Sequence, residues 1–303
     1  MKCRSGRNSA RSILSCIRLD GTMSPATVPT VTPPPPTPTF LKLSFPAPRV
    51  VLVTMDREKD MNCINADGSD ELASVWTWLD SEPNLSVAVI TGAGTKAFSA
   101  GADLKEWRNS LKMNAPRPPR RVRADASTGL SRRKGKKPVI AAVNGLALGG
   151  GTEFCVNADL VIASETAFFG LPEVKRGVIP FAGALPRLIR TVGLQRASEF
   201  ALTGRTVSAQ EAYTWGFVNK VVPQAEVVKE AIRYAEMIAA NSPDSVICAR
   251  AGLREGWYTA DVEEAVQKTY EGEWAELQKG ENIREGLAAF VERRTPKWRP
   301  SRL

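Results

Sequence analysis

Along the chain, apolar residues first gather into short β-branched runs. Val50-Val51-Leu52-Val53-Thr54-Met55 and Val87-Ala88-Val89-Ile90-Thr91 lack polar alternation, which predicts strands buried on both faces. The second run ends at Gly92, with Gly94 close behind, a turn signal. Between the two, Leu72, Val75, Trp76 and Leu79 recur at helical spacing and predict a helix over 69–79. Val139-Ile140-Ala141-Ala142-Val143, closed by Asn144-Gly145, predicts a third strand. Gly149–Gly151 then open a helix carrying Phe154 and Cys155, and Leu160-Val161-Ile162-Ala163 returns as a strand. Strands alternating with helices place the chain in the α/β class. From about Ala225 to Val291 the pattern turns helical, with Val227, Ala231, Ala235 and Ile238 on one face.

The flanks lack this patterning. Residues 1–22 hold Arg4, Arg7, Arg11 and Arg18 and no acid before Asp20, a composition resembling a mitochondrial presequence. A leader lying ahead of a start at Met23 is the plain alternative. Residues 24–39, with Pro33–Pro36 and Pro38, read as an extended linker. The expected organisation is a leader and linker over 1–39, an α/β core over 40–224, a helical region over 225–298, and a tail over 299–303. Residues 111–137, rich in proline and basic side chains, interrupt the core and predict a surface insertion.

Composition narrows the chemistry. With 303 residues, 43% of them hydrophobic, the chain can bury a sizeable core. No apolar run approaches the roughly 20 residues that span a bilayer, so a soluble protein without a membrane span is expected. The net charge of +9 sits in residues 111–137, which hold ten basic side chains against Asp125 alone, and the remainder is close to neutral. The five cysteines (Cys3, Cys16, Cys63, Cys155 and Cys248) show no CxxC spacing, which fits a reducing compartment and argues against a thiolate metal site. Histidine is absent altogether. That excludes Ser-His-Asp and Cys-His nucleophile systems and imidazole-bound zinc. Acid–base work near neutral pH then falls to carboxylates, lysines, tyrosines or thiols with shifted pKa values.

Two small-residue turns and two glutamates stand out. In Phe98-Ser99-Ala100-Gly101-Ala102-Asp103-Leu104-Lys105, small residues let a ligand approach the backbone, so the Ala102 amide can donate to an anion. An ordinary strand-to-helix turn is the plain reading of this segment taken alone. Gly149-Gly150-Gly151-Thr152-Glu153 starts a helix whose free amides and dipole favour negative charge. It fits neither GxGxxG nor a P-loop. A thioester carbonyl between the amides of Ala102 and Gly150 would have its enolate charge stabilised. Glu153, in the first turn, is expected to be ionised by the dipole and so to act as base. Glu173 follows Phe168-Phe169-Gly170-Leu171-Pro172 and is expected to be desolvated and to hold a proton. A salt bridge to Lys175 or Arg176 is its plain alternative. Trp76 and Trp78 are expected in the core, and Asp159 as a buried structural acid.

Taken together, Phe98–Lys105, Gly149–Glu153, Pro172-Glu173, Leu202-Thr203-Gly204, Gly216-Phe217-Val218 and the run from Glu285-Gly286 to Arg294 resemble the crotonase (enoyl-CoA hydratase/isomerase) superfamily over residues 40–298. The resemblance implies a spiral of ββα units with a helical C-terminal trimerisation region, in homotrimers that often pair into hexamers. It implies an oxyanion hole from the amides of Ala102 and Gly150, with the CoA nucleotide near Ala100, Ala102, Asp103, Leu104 and Lys105. CoA enters as part of the substrate, with no metal or separate cofactor. It also implies hydration of a trans-2-enoyl-CoA, with Glu153 deprotonating water for attack at Cβ and Glu173 protonating Cα. A Δ3,Δ2-enoyl-CoA isomerase is the alternative, followed by other CoA-thioester reactions of fatty acid or secondary metabolism.

The chain departs from the family pattern after Ile179-Pro180. Hydratases continue Gly-Ala-Gly-Gly-Thr-Gln-Arg-Leu, whereas this chain reads Phe181-Ala182-Gly183-Ala184-Leu185-Pro186-Arg187-Leu188. Phe181 thus replaces a glycine beside the acyl and water site. One branch of the superfamily binds RNA through a basic surface, but residues 111–137 lack an aromatic for base stacking, which disfavours nucleic acid here. Ser301-Arg302-Leu303 resembles the peroxisomal tripeptide Ser-Lys-Leu on a tail expected to be exposed. A peroxisome served by its import receptor is the expected location, with the mitochondrion as alternative.

Overall fold

The computed structural model describes residues 36–112 and 129–303. Its strands are β1 (Leu41–Ala47), β2 (Val50–Met55), β3 (Val87–Gly92), β4 (Ala97–Ser99), β5 (Val139–Val143), β6 (Leu146–Leu148), β7 (Leu160–Ser164), β8 (Phe168–Gly170), β9 (Thr206–Ser208) and β10 (Lys220–Val222). The helices are α1 (Ala66–Ser81), α2 (Leu104–Lys112), α3 (Gly150–Asn157), α4 (Ala184–Val192), α5 (Leu194–Thr203), α6 (Ala209–Thr214), α7 (Val227–Ala239), α8 (Pro243–Tyr258), α9 (Val262–Thr269), α10 (Ala275–Lys279) and α11 (Glu281–Val291).

A large sheet runs β1-β2-β3-β5-β7-β10 and a small one β4-β6-β8-β9. Pairing is parallel except between β1 and β2 and between β8 and β9. The order encodes a repeat. β3 and β4 are followed by α2, β5 and β6 by α3, and β7 and β8 by a 3-10 turn over Pro172–Arg176. In each pair the first strand joins the large sheet and the second joins the small one. The chain therefore winds as a spiral of two-strand turns, the ββα architecture of the crotonase fold.

The unbroken apolar runs follow from this layering. In β5, Val139, Ala141 and Val143 face one core cluster while Ile140 and Ala142 face another. The same split separates Ala88 and Ile90 from Val87 and Val89 in β3. Both faces of each strand are dry, so polar positions are confined to strand ends, as at Thr91, whose hydroxyl donates to the Ala142 carbonyl at 2.9 Å. The first cluster lies against α1, whose Leu72, Val75, Trp76, Trp78 and Leu79 are buried. That helix begins at Asn65, whose side chain accepts from the Gly68 amide at 3.0 Å. The second cluster is closed by α7 through Val227, Ala231, Ala235 and Ala239. The helical pattern at Val227–Ile238 is thus the second cover of the large sheet, and α7, the first helix of the C-terminal region, packs on the α/β core.

The expected surface insertion over 111–137 needs correction in its second half, while residues 113–128 lie outside those described. Leu130 is in the core, and Arg133 and Lys137 are buried. Arg133 Nη2 pairs with Asp80 Oδ1 at 2.6 Å, and its guanidinium lies 5.8 Å from the Trp76 ring. The Lys137 amide donates to the same Asp80 oxygen at 3.0 Å, and its ammonium donates to the Glu82 carbonyl. Asn157 Nδ2 holds the carbonyls of Leu130 and Arg133 at 2.8 and 3.1 Å. These cations are consumed inside the fold and do not present a phosphate-binding face.

The C-terminal tail is likewise less exposed than expected. Trp298 Nε1 donates to the Ala240 carbonyl at 2.9 Å, Ser301 Oγ to Asp244 Oδ1 at 2.5 Å, and Lys136 Nζ to a Leu303 oxygen. Ser301 and Leu303 are half-buried as a result. Asp159 is a structural acid, pairing with Arg250 and Arg254 at 3.0 and 2.6 Å. Among the described residues no helix is long and apolar enough to cross a membrane.

Candidate functional site

The spiral brings three strand ends together. The turn after β4 carries Ala102, the turn after β6 carries Gly150, and the 3-10 turn after β8 carries Glu173. β4, β6 and β8 are parallel neighbours, so residues far apart in sequence emerge side by side.

Around Ala102 the backbone is tied down on both sides. The Ala100 amide donates to the Met61 carbonyl at 2.9 Å, the Ile64 amide to the Gly101 carbonyl at 2.8 Å, and the Asp103 amide to the Ile64 carbonyl at 2.9 Å. Among the described residues the Ala102 amide finds no protein acceptor, nor does that of Gly150 at the start of α3. The two turns touch: a Cβ on Gly101 would lie 2.6 Å from the Leu148 carbonyl oxygen and 2.9 Å from the Gly150 nitrogen. A Cβ on Gly150 would lie 3.7 Å from the Ala102 nitrogen. Two unused amides thus converge on one spot, the arrangement an oxyanion needs.

Gly149 joins this spot to Glu173. Its φ is +51°, and a Cβ there would meet Glu173 Oε1 at 2.9 Å. Thr152 pins the start of α3: its single hydroxyl proton can go to the Ala147 carbonyl at 2.7 Å or the Gly170 carbonyl at 2.9 Å, and its oxygen accepts from the Gly170 amide at 3.2 Å. Glu153 follows, only 5% exposed, and its Oε1 accepts from the Ala184 amide at 3.3 Å. The Ala182 amide lies near this carboxylate and favours its charged form.

Electrostatics correct one expectation. The helix dipole does not keep Glu153 readily ionised. Burial pushes its pKa up to about 7, the Ala184 and Ala182 amides oppose that rise, and the Glu173 charge adds to it. α3 has only eight residues and its carboxyl faces the body of the protein, so desolvation outweighs the dipole. Glu173 is raised as well, by burial. Its Oε2 is buried without a protein partner, and among the described residues neither Lys175 nor Arg176 bridges to it. Phe169 and Leu171 supply the dry side of this carboxyl, whereas Phe168 turns to solvent. The Glu173 charge adds to the rise at Glu153, so the two carboxyls are electrostatically linked.

The segment expected to meet the CoA nucleotide divides in two. Leu104 and Lys105 are exposed, Ala102 is exposed and Ala100 half-buried. The Asp103 carboxylate is engaged inside the protein, accepting from the Lys105 and Glu106 amides at 3.1 and 3.2 Å and pairing with Arg57 at 3.3 Å. It caps α2. The hydrogen bonds and ion pair outweigh burial and hold its pKa below the ordinary value. Sequence reading missed the Ala184 amide, which holds Glu153, and the Ala182 amide near it. It also missed the aromatic contact of Phe181 with Trp107 on α2. Backbone donors leave no trace in side-chain pattern, although Gly183, with φ +110°, marks the turn that presents them.

Comparisons with known proteins identify relatives of the whole fold. The family model described as "Enoyl-CoA hydratase/isomerase" matches residues 47–301. The mevalonyl-coenzyme A hydratase of Beauveria bassiana is 50% identical over 281 residues, covering 90% of this chain and 100% of that protein. The Dictyostelium discoideum protein named "Probable enoyl-CoA hydratase, mitochondrial" is 38% identical over 251 residues, covering 82% of this chain and 87% of that protein. The crystal structure of an enoyl-CoA hydratase from Bacillus anthracis superposes with a TM-score of 0.75 at 36% identity, covering 86% of this chain and 100% of that one.

Proposed function

The chain belongs to the enoyl-CoA hydratase/isomerase family of the crotonase superfamily and is a hydratase-type lyase of CoA thioesters, and we propose that its substrate pair is mevalonyl-CoA and the branched 2-enoyl-CoA left when water is lost. The observation that carries the reading is the pair of raised-pKa carboxyls, Glu153 and Glu173, beside the free amides of Ala102 and Gly150. Identity of 50% to a mevalonyl-coenzyme A hydratase supports the choice of acyl group.

In the hydration direction the thioester carbonyl accepts from the amides of Ala102 and Gly150. Glu153 takes a proton from water as the water oxygen bonds to Cβ, and the charge spreads onto the thioester oxygen as an enolate. Glu173 then gives a proton to Cα. Dehydration runs the same steps backward: Glu173 removes the Cα proton and Glu153 returns a proton to the departing hydroxyl. The roles follow from hydrogen bonding. Two amides steady Glu153 as an acceptor, while Glu173 Oε2 has no protein partner and is free to carry the transferable proton. Removing one carboxyl of such a pair lowers turnover by roughly 10²–10⁴-fold. The test measures hydration of 2-enoyl-CoA, dehydration of mevalonyl-CoA and isomerisation of 3-enoyl-CoA by wild type, Glu153→Gln and Glu173→Gln. Full hydratase activity in either variant sinks the two-carboxylate reading, and isomerisation alone in the wild type favours the isomerase.

Assembly and address are proposed on other grounds. The C-terminal helices leave Val262, Val266, Tyr270 and Phe290 exposed, which supports a homotrimer or a hexamer, to be read from solution mass. Ser301-Arg302-Leu303 supports a peroxisomal address, for which an import receptor must draw the tail away from Lys136 and Asp244. The Arg-rich leader and the name of the Dictyostelium relative support the mitochondrion instead. Imaging with and without Leu303 decides between them.

A further inference from the structure

We infer that Trp107 and Phe181 form an aromatic wall across the acyl end of the cleft and restrict it to short acyl groups. This rests on the reading of the cleft as an acyl-CoA site.

The walls can be placed from the contacts already described. The Ala102 and Gly150 amides fix where the thioester carbonyl lies, and Glu153 and Glu173 flank the two carbons beyond it. On this reading a longer acyl chain passes between α2 and the turn that precedes α4. Phe181 stands on that turn, one residue before Ala182, whose amide lies near Glu153. Trp107 stands one helical turn into α2, five residues after Ala102, and its amide donates to the Asp103 carbonyl at 3.0 Å. The two rings meet edge to face, with centroids 6.4 Å apart and planes at 66°. The contact therefore ties α2 to the turn whose Ala184 amide holds Glu153.

The position of Phe181 is costly to explain otherwise. Phe181 is 57% exposed, so it does not serve the core. Ile179 and Leu104 are exposed beside the same stretches, which makes the rim of the cleft apolar. Where the family pattern has glycine, a benzyl group stands next to the carboxylate that faces Cβ. An exposed edge-to-face pair adds only about 0.5–1.5 kcal/mol to stability. A steric wall has a larger consequence, because excluding one methylene from a pocket changes selectivity by roughly 10–200-fold.

The test measures dissociation constants of saturated butyryl-, hexanoyl-, decanoyl- and palmitoyl-CoA, and kcat/KM for the matching 2-enoyl thioesters. The full chain is used as wild type, Phe181→Ala, Phe181→Gly, Trp107→Ala and Trp107→Phe. Wild type should bind palmitoyl-CoA at least ~10-fold more weakly than butyryl-CoA, and the ratio should collapse in the Phe181 variants and in Trp107→Ala. Trp107→Phe, which keeps an aromatic edge, should retain the wild-type ratio. A flat wild-type series, or one that no variant shifts, overturns the wall. A pair that only stabilises the fold would lower the melting temperature and leave the ratio unmoved. Absence of hydration in every enzyme sinks the hydratase reading alone, because the binding series still reports on the wall.

Discussion

Glutamine at position 153 should make the protein more stable at alkaline pH while removing its activity. The carboxyl has an ordinary pKa of 4.5 and stands at about 7 in the folded protein, chiefly through burial. Below pH 4.5 it is protonated both folded and unfolded and adds no pH dependence. Between 4.5 and about 7 the unfolded chain gives up the proton and the folded chain keeps it. Each pH unit in that window therefore removes ~1.4 kcal/mol of stability. Above the window both states are ionised, and the accumulated loss is roughly 3 kcal/mol. Glutamine cannot ionise, yet its carbonyl keeps the Ala184 amide satisfied at the 3.3 Å contact.

Urea unfolding from pH 4 to 8, at one fixed protomer concentration, gives the readout. The wild type and Glu153→Gln should have nearly equal stability at the acidic end. The variant should be more stable by ~3 kcal/mol at the alkaline end, with hydration lost. Glu173→Gln should recover part of that difference, because the Glu173 charge contributes to the rise at Glu153. Parallel curves for wild type and Glu153→Gln would mean that the carboxyl is not desolvated, and the site would lose its general acid–base pair.

Two further substitutions probe what holds the site. Asp80→Asn leaves the buried Arg133 guanidinium without its counter-charge, a change that costs ~3 kcal/mol, at the low end for a buried pair because Asp80 is partly exposed; a loss under ~0.5 kcal/mol in chemical unfolding would restore the surface-loop reading of 129–137. Gly149→Ala forces a methyl toward Glu173 Oε1 at a φ of +51°. It should lower kcat by roughly 10²-fold while circular dichroism is unchanged, and an unaltered kcat would uncouple Gly149 from the placement of Glu173.

The four central strands of the large sheet were legible because they are buried on both faces, so Val50–Met55, Val87–Gly92, Val139–Val143 and Leu160–Ser164 carry the signal in composition alone, whereas the outer strands Leu41–Ala47 and Lys220–Val222 do not. The small sheet was not. β4, β6, β8 and β9 are three residues each, too short for any period to show. Arg133 and Lys137 were misplaced for a related reason: local composition marks them as surface, and the Asp80 that neutralises Arg133 lies 53 residues earlier. The ionisation of Glu153 was misjudged because it depends on packing of the turn before α4, whose Ala184 lies 31 residues later.

The short strands that left no signal nonetheless decide the site. β4, β6 and β8 pair in parallel, with Ser99 beside Ala147 and Leu148 beside Gly170. Each is followed within three residues by one part of the chemistry: the Ala102 amide, the Gly150 amide and the Glu173 carboxyl. In parallel strands all C-terminal ends point the same way, so equal placement in each turn of the spiral becomes adjacency in space. Glu153 reaches the same spot from the first turn of α3. The departure from the family pattern then falls on the remaining side, where Phe181 stands beside the turn that holds Glu153. In the proposed chemistry, a scaffold that fixes carbonyl, Cα and Cβ from three strand ends leaves the acyl tail as the variable part. Specificity among family members is therefore expected to change at α2 and the 181–184 turn, where substitution leaves the amides and carboxyls in place.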